Sequence, residues 1–91
     1  MSPQAIASPE ELERFARELK QFNTQLQSSM SRLNAEFKRL GDTWRDQEQK
    51  KFAQEFEQTM RVLQQFQRSS EKQIPFLLRK AQRLREYLNQ K

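Results

Sequence analysis

Cysteine and histidine are absent from this 91-residue chain, and glycine occurs once. Without cysteine there is no disulfide staple, no thiol nucleophile and no thiolate ligand. Without histidine the commonest general base and the commonest metal ligand are both missing. One glycine and three prolines, two of them among the first nine residues, leave few places for the chain to turn. No apolar run approaches ~18 residues, so no membrane-spanning helix is expected. The opening MSPQAIASP has neither a basic n-region nor an apolar h-region, and no ordinary secretory signal peptide is expected. No glycine-rich phosphate loop and no nucleophile–base pair occurs, and the acidic residues are scattered among basic neighbours. An enzyme, a cofactor, a metal site and a small-molecule substrate are therefore not expected.

What is present favours helices. The chain is 34% hydrophobic and 32% charged, with a mean hydropathy of −1.12. That is too polar for an ordinary globular core, but a long helix needs only a narrow apolar stripe. Gln, Glu, Arg, Lys and Leu, all good helix formers, are abundant. The length allows one domain. Of the net charge of +5, residues 61–91 carry eight Lys/Arg against two Asp/Glu, whereas residues 1–60 carry nine against ten.

Ser8-Pro9-Glu10-Glu11 reads as a helix start: Ser8 as cap, Pro9 at the first position, Glu11 completing a capping box. Leu12, Phe15, Leu19, Phe22, Leu26, Met30, Leu33, Phe37 and Leu40 then follow at steps of three or four, with a stutter near Met30. The spacing predicts a first helix over 9–40, preceded by a disordered tail over 1–8. Gly41 suits a left-handed helix end, and Thr43 with Asp46 suits the cap of a second helix over 43–90. So short a connection predicts an all-α antiparallel helical hairpin.

The second stripe includes Trp44, Phe52, Phe56, Met60, Leu63, Phe66, Leu77, Leu84 and Leu88, with polar Glu48 and Ser70 filling gaps. Pro75 predicts a kink in helix 2, or alternatively a third helix capped by Ser69-Ser70. If Leu40 faces Trp44, residue i faces roughly 84 − i and Pro9 lies opposite Pro75. The segment 76–90 would then overhang by about 20 Å at 1.5 Å per residue. Its exposed stripe predicts association with a second molecule, two hairpins making a four-helix bundle.

Leu40, Trp44, Phe52 and Phe56 carry a resemblance to the WXG (Trp-X-Gly) hairpin proteins, small substrates of bacterial type VII secretion. In that family a Trp sits at the hairpin turn, an aromatic follows eight residues later, and helix 2 continues with spaced Leu residues. The resemblance spans roughly residues 10–88. Here the motif reads Trp44-Arg45-Asp46, with Asp in place of Gly. Family members often carry a Tyr followed four residues later by an acidic residue, read as an export signal. The matching residue here is Tyr87, followed by Lys91. The resemblance implies a cytoplasmic or signal-peptide-independently secreted protein whose partners are itself, a homologous hairpin or a secretion ATPase.

On this reading Trp44, Phe52, Phe56, Leu77, Leu84 and Leu88 are candidate partner-binding residues, although Trp44 better suits packing that closes the open end of the hairpin. Arg79, Lys80, Arg83 and Arg85 form a candidate basic patch, suited to a solvated face, an anionic membrane or a phosphate backbone. Membrane and nucleic acid rank behind a partner-facing role, because the same apolar stripe is needed for packing and no nucleic-acid motif is present. Two further functions fit the same features. One is a cytoplasmic coiled-coil chaperone or regulator holding a partner's amphipathic helix. The other is a membrane or nucleic-acid module using the basic tail.

Overall fold

The computed structural model describes residues 7–89 and contains two helices, α1 (Pro9–Leu40) and α2 (Gln47–Leu88). They pack antiparallel in a rod of 70 × 19 × 19 Å. Of the expected tail over 1–8, residues 1–6 lie outside the described residues, as do Gln90 and Lys91. Ser8 belongs to the fold: its hydroxyl accepts the Glu11 N–H at 3.3 Å and caps α1, with Pro9 in the first turn. Glu10 and Glu11 in that turn, and Lys38 and Arg39 in the last, complement the helix dipole.

The connection differs from the sequence expectation. Gly41 is right-handed (φ −63°, ψ −15°), not left-handed. The chain leaves α1 through a tightened turn, in which the Asp42 N–H donates to Arg39 at 3.0 Å and the Thr43 N–H to Leu40 at 3.1 Å. Thr43 is thereby used up in finishing α1, its hydroxyl also donating to the Leu40 carbonyl at 3.4 Å. The cap of α2 is Asp46, whose carboxylate accepts the Gln49 N–H at 3.0 Å. Helix 2 therefore begins at Gln47, later than 43, and Trp44 lies in the connection.

From Asp46 the helix runs unbroken through Pro75, and no third helix forms among the described residues. Pro75 is exposed, so the hydrogen bond it forfeits lies away from the partner helix. Ser70 caps nothing; it is 1% exposed, between the helices.

The seam departs further from expectation. Its buried residues are Pro9, Ala16, Asn23 and Met30 on α1, at intervals of seven, facing Met60, Ser70 and Ala81 on α2. Phe15 and Phe22, one residue away from Ala16 and Asn23, stand 59% and 49% exposed. The stutter near Met30 thus arises from choosing the phenylalanines; the buried positions of α1 keep a strict heptad period, while those of α2 are spaced by ten and eleven residues. Ser70 Oγ lies 2.8 Å from Asn23 Oδ1, and Gln67 Nε2 donates to the Asn23 carbonyl at 3.3 Å. The Asn23 amide nitrogen is buried with no partner among the described residues.

Asn23 opposite Ser70 and Phe37 against Phe56 put residue i opposite about 93 − i rather than 84 − i. The longer connection causes the shift. Pro9 lies near Leu84 and Arg85, so the expected overhang of 76–90 is covered as far as Ala81 and beyond by the start of α1. There Arg85 donates to Glu13 through both terminal nitrogens, one at 3.0 Å, and to Glu10 at 3.5 Å. The Arg85 hydrogen bond holds the Glu13 carboxyl below the usual carboxylate range. Glu10 is lowered too, chiefly by its own backbone N–H and then by the Ser8 hydroxyl.

Three outcomes follow from this geometry. Gly41→Ala should shift stability by less than about 1 kcal/mol in urea melts. Its backbone is right-handed and the alanine helix gain offsets the 3.2 Å approach of a Cβ to the Lys38 carbonyl; a left-handed glycine would lose about 1–2 kcal/mol. Ser70→Ala should cost about 1–3 kcal/mol in the same melts, because it strips the buried Asn23 side chain of its partner. The Glu13 contribution is present above the unfolded carboxylate pKa and lost as pH falls through the lowered folded value. Glu13→Gln should therefore be less stable than the parent at neutral pH, the gap closing on acidification.

Candidate functional site

Each helix advances 100° per residue, so positions flanking the seam divide between two broad faces of the hairpin. On one face lie Phe15 and Phe22 of α1 with Phe52, Val62, Phe66 and Phe76 of α2, all exposed by two-fifths or more. Phe22 and Phe66 meet edge to face across the seam, with centroids 5.7 Å apart, which fixes both on the same side. The opposite face carries Glu13, Lys20, Gln27, Gln64, Glu71 and Arg85, with Leu78 its one exposed large apolar residue among those described. The hairpin is therefore two-faced, one side apolar and the other charged.

Toward the turn the apolar face merges into an aromatic cluster. Phe37 lies 4.8 Å from Phe56 and 5.8 Å from Phe52, and Trp44 lies 5.7 Å from Phe52. Trp44 is half-buried and Phe52 exposed, so the cluster closes the turn end while keeping one side open. Such pairs add about 0.5–1.5 kcal/mol each beyond area burial. The Arg45 side chain donates to the Gly41 carbonyl at 3.1 Å, and Asp46 then caps α2. In Trp44-Arg45-Asp46 the residue standing where the family motif has Gly is thus the helix cap.

The expected site residues fare differently. Trp44, Phe52 and Phe56 come together with Phe37. Leu77 and Leu84 do not join them; both are half-buried in the seam, because the true register places the start of α1 over them. Leu88 and Tyr87 are exposed at the far end of α2, Tyr87 at 71%. Arg79 and Arg83 are exposed and Lys80 half-buried, with no ion pair among the described residues. Arg85 is withdrawn from the basic patch by Glu13 and Glu10, which raise its pKa. Phe15, Phe22, Phe66 and Phe76, absent from the sequence-derived site, form much of the open face. Their signal was available in Pro9, Ala16, Asn23 and Met30, whose seven-residue spacing marks the seam on α1 and turns Phe15 and Phe22 outward.

No group of three or more His, Cys, Asp or Glu able to hold a metal occurs among the described residues. No helix among them is long and apolar enough to cross a membrane.

Comparison with curated proteins gives no match. Among solved structures, a point variant of the secreted protein EsxB from Bacillus anthracis str. Sterne is 33% identical, with a TM-score of 0.83 over 93% of this chain and 99% of that one. Selenomethionine-labelled EsxB from the same strain is 32% identical, with a TM-score of 0.78 over 97% and 100% of the two chains. The wild-type EsxB structure is 32% identical, at 0.76 over 91% and 95%. The model of the WXG100 family, "proteins of 100 residues with WXG", matches residues 4–87. With its aromatic turn, its hairpin and nearly its whole length matched, this chain belongs to the WXG100 family.

Proposed function

We propose that the chain acts as a type VII secretion substrate or adaptor, and that its working form is a pair of hairpins joined through the apolar face into a four-helix bundle. The observation that carries the dimer is the sidedness of the hairpin: of the eleven large apolar residues exposed among those described, Phe15, Phe22, Phe52, Val62, Phe66 and Phe76 share one face, whereas Leu78 stands on the other. An apolar surface running the length of the rod normally marks an association site. A second hairpin of the same length is the partner whose shape matches it. Export is supported by family membership and by the similar structures, which are of secreted proteins. A secretion ATPase would read an exposed element, and Tyr87 with Leu88 at the end of α2 offers one.

The same face would accept a heterologous amphipathic helix in the chaperone reading, so the occupant has to be measured. Sedimentation equilibrium of the pure chain should give a dimer. Phe22→Ser with Phe66→Ser should dissociate it while helicity by circular dichroism is retained. Burial of a Phe is worth about 1.5–3 kcal/mol, or roughly tenfold or more in Kd per residue. In the producing cells the protein should appear in the medium and disappear from it on deletion of the secretion ATPase. A well-folded monomer at all concentrations would sink the dimer, and a purely cellular protein would sink the export role.

A further inference from the structure

On the face opposite the aromatics, midway along the rod, the two helices border a shallow cleft of about 520 Å³. Its lining includes Lys20, Asn23 and Gln27 of α1 with Gln67, Glu71 and Ile74 of α2. Lys20, Gln27 and Glu71 belong to the charged face, so covering the apolar face leaves this cleft open.

The deepest of these residues is Asn23, 6% exposed, and the hairpin does not complete its hydrogen bonding. Its side-chain partner is Ser70, whose Oγ lies 2.8 Å from Oδ1. The single Ser70 proton also has the Gln67 carbonyl within reach, at 3.0 Å. The Asn23 amide nitrogen is left buried with no partner among the described residues. Turning the carboxamide over would give Ser70 to the nitrogen and strand the oxygen instead, so the deficit belongs to the site. A buried polar group in this condition is costly unless something from outside completes it. The walls are short of partners as well. Among the described residues the Gln27 and Gln67 side-chain oxygens accept no hydrogen bond, and neither Lys20 nor Glu71 is in an ion pair.

We propose that this cleft is a binding site for a short, extended, uncharged stretch of another protein's main chain. It goes beyond the pairing of hairpins proposed above and does not depend on it. Charge is the first feature that selects the ligand. Lys20 and Glu71 border the same opening, so a bare anion is opposed by one and a bare cation by the other. The second feature is the carboxamides. Asn and Gln side chains carry the same donor and acceptor as a peptide group, and an extended main chain presents both in alternation. Asn23 can complete its bonding on one peptide group while Gln27 and Gln67 serve its neighbours. Length agrees: from Lys20 to Gln27 the helix advances about 10 Å, which about three extended residues span. Ile74 adds one apolar contact for a small side chain of the bound segment.

The test is a titration of the isotope-labelled full chain with the capped peptide N-acetyl-trialanine N-methylamide, followed by heteronuclear NMR. The side-chain amide signals of Asn23 and Gln67 should shift saturably. Gln27→Ala, at an exposed position, should weaken the apparent Kd about fivefold, as loss of one hydrogen bond does. Arg79→Ala, exposed and outside the cleft, should leave it unchanged. Asn23→Ala should weaken binding at least as much as Gln27→Ala, with circular dichroism to verify the hairpin; if it unfolds, Gln27→Ala decides alone. Absence of a saturable shift, or an affinity indifferent to Gln27→Ala, would overturn the proposal. Sodium acetate or methylammonium producing the same saturable shifts by itself would make this an ion site and overturn it equally.

Discussion

The whole molecule depends on how narrow its internal seam is. Ala16, Asn23 and Met30 meet Met60, Ser70 and Ala81, so the side chains completely enclosed between the helices are small, flexible or polar. A seam of this composition offers limited apolar burial, and a chain of this size has no second layer with which to supplement it. The bulky aromatics, which would supply the missing area, stand beside the seam. Their placement gives the hairpin one strongly apolar face and leaves the opposite face free for charge. The stability of the fold and the exposure of its aromatic face are therefore coupled through a single choice of which residues along each helix point inward.

Polar contacts set the alignment that this weak seam leaves open. The Asn23–Ser70 pair sits near the middle of the rod, and the Arg85 clasp on Glu13 and Glu10 ties its far end. A sliding of one helix along the other would separate Asn23 from Ser70; Ser70 keeps its bond to the Gln67 carbonyl at 3.0 Å, but the buried Asn23 side chain loses its partner. The turn end is held differently, by Phe37, Phe52, Phe56 and Trp44. Alignment is thus fixed by hydrogen bonds and charge at one end and aromatic packing at the other, with the glycine-less motif Trp44-Arg45-Asp46 supplying a helix cap between them. Asp performs that capping without the backbone freedom a glycine would bring, and no residue in the connection takes a positive φ.

Much of this was legible in the residues. Ser8-Pro9 fixes the start of α1 at the position the structure shows, and the single glycine lies where α1 ends, because capping and helix-breaking are local chemistry read within a few residues. The hairpin and the aromatic turn were readable for the same reason. The register was not. Asp42 and Thr43 were available to begin α2, and only the hydrogen bonds back to Arg39 and Leu40 assign them to the end of α1. That shift of about two and a half turns moved Leu77 and Leu84 from an exposed overhang into the seam and turned Arg85 from a free cation into a clasp.

By itself the sequence determined two long helices, their antiparallel return, the absence of imidazole and thiol side chains and the aromatic turn of its family. Each follows from composition or from contacts between near neighbours in the chain. Which stripe of each helix faces inward was decided only by the tertiary structure. Phe15 and Ala16, or Phe22 and Asn23, are adjacent in sequence, and a helix rotated by 100° exchanges them. Single-helix periodicity favours the larger apolar residue, whereas two helices packed together favour the set that lets the backbones approach and the polar atoms pair.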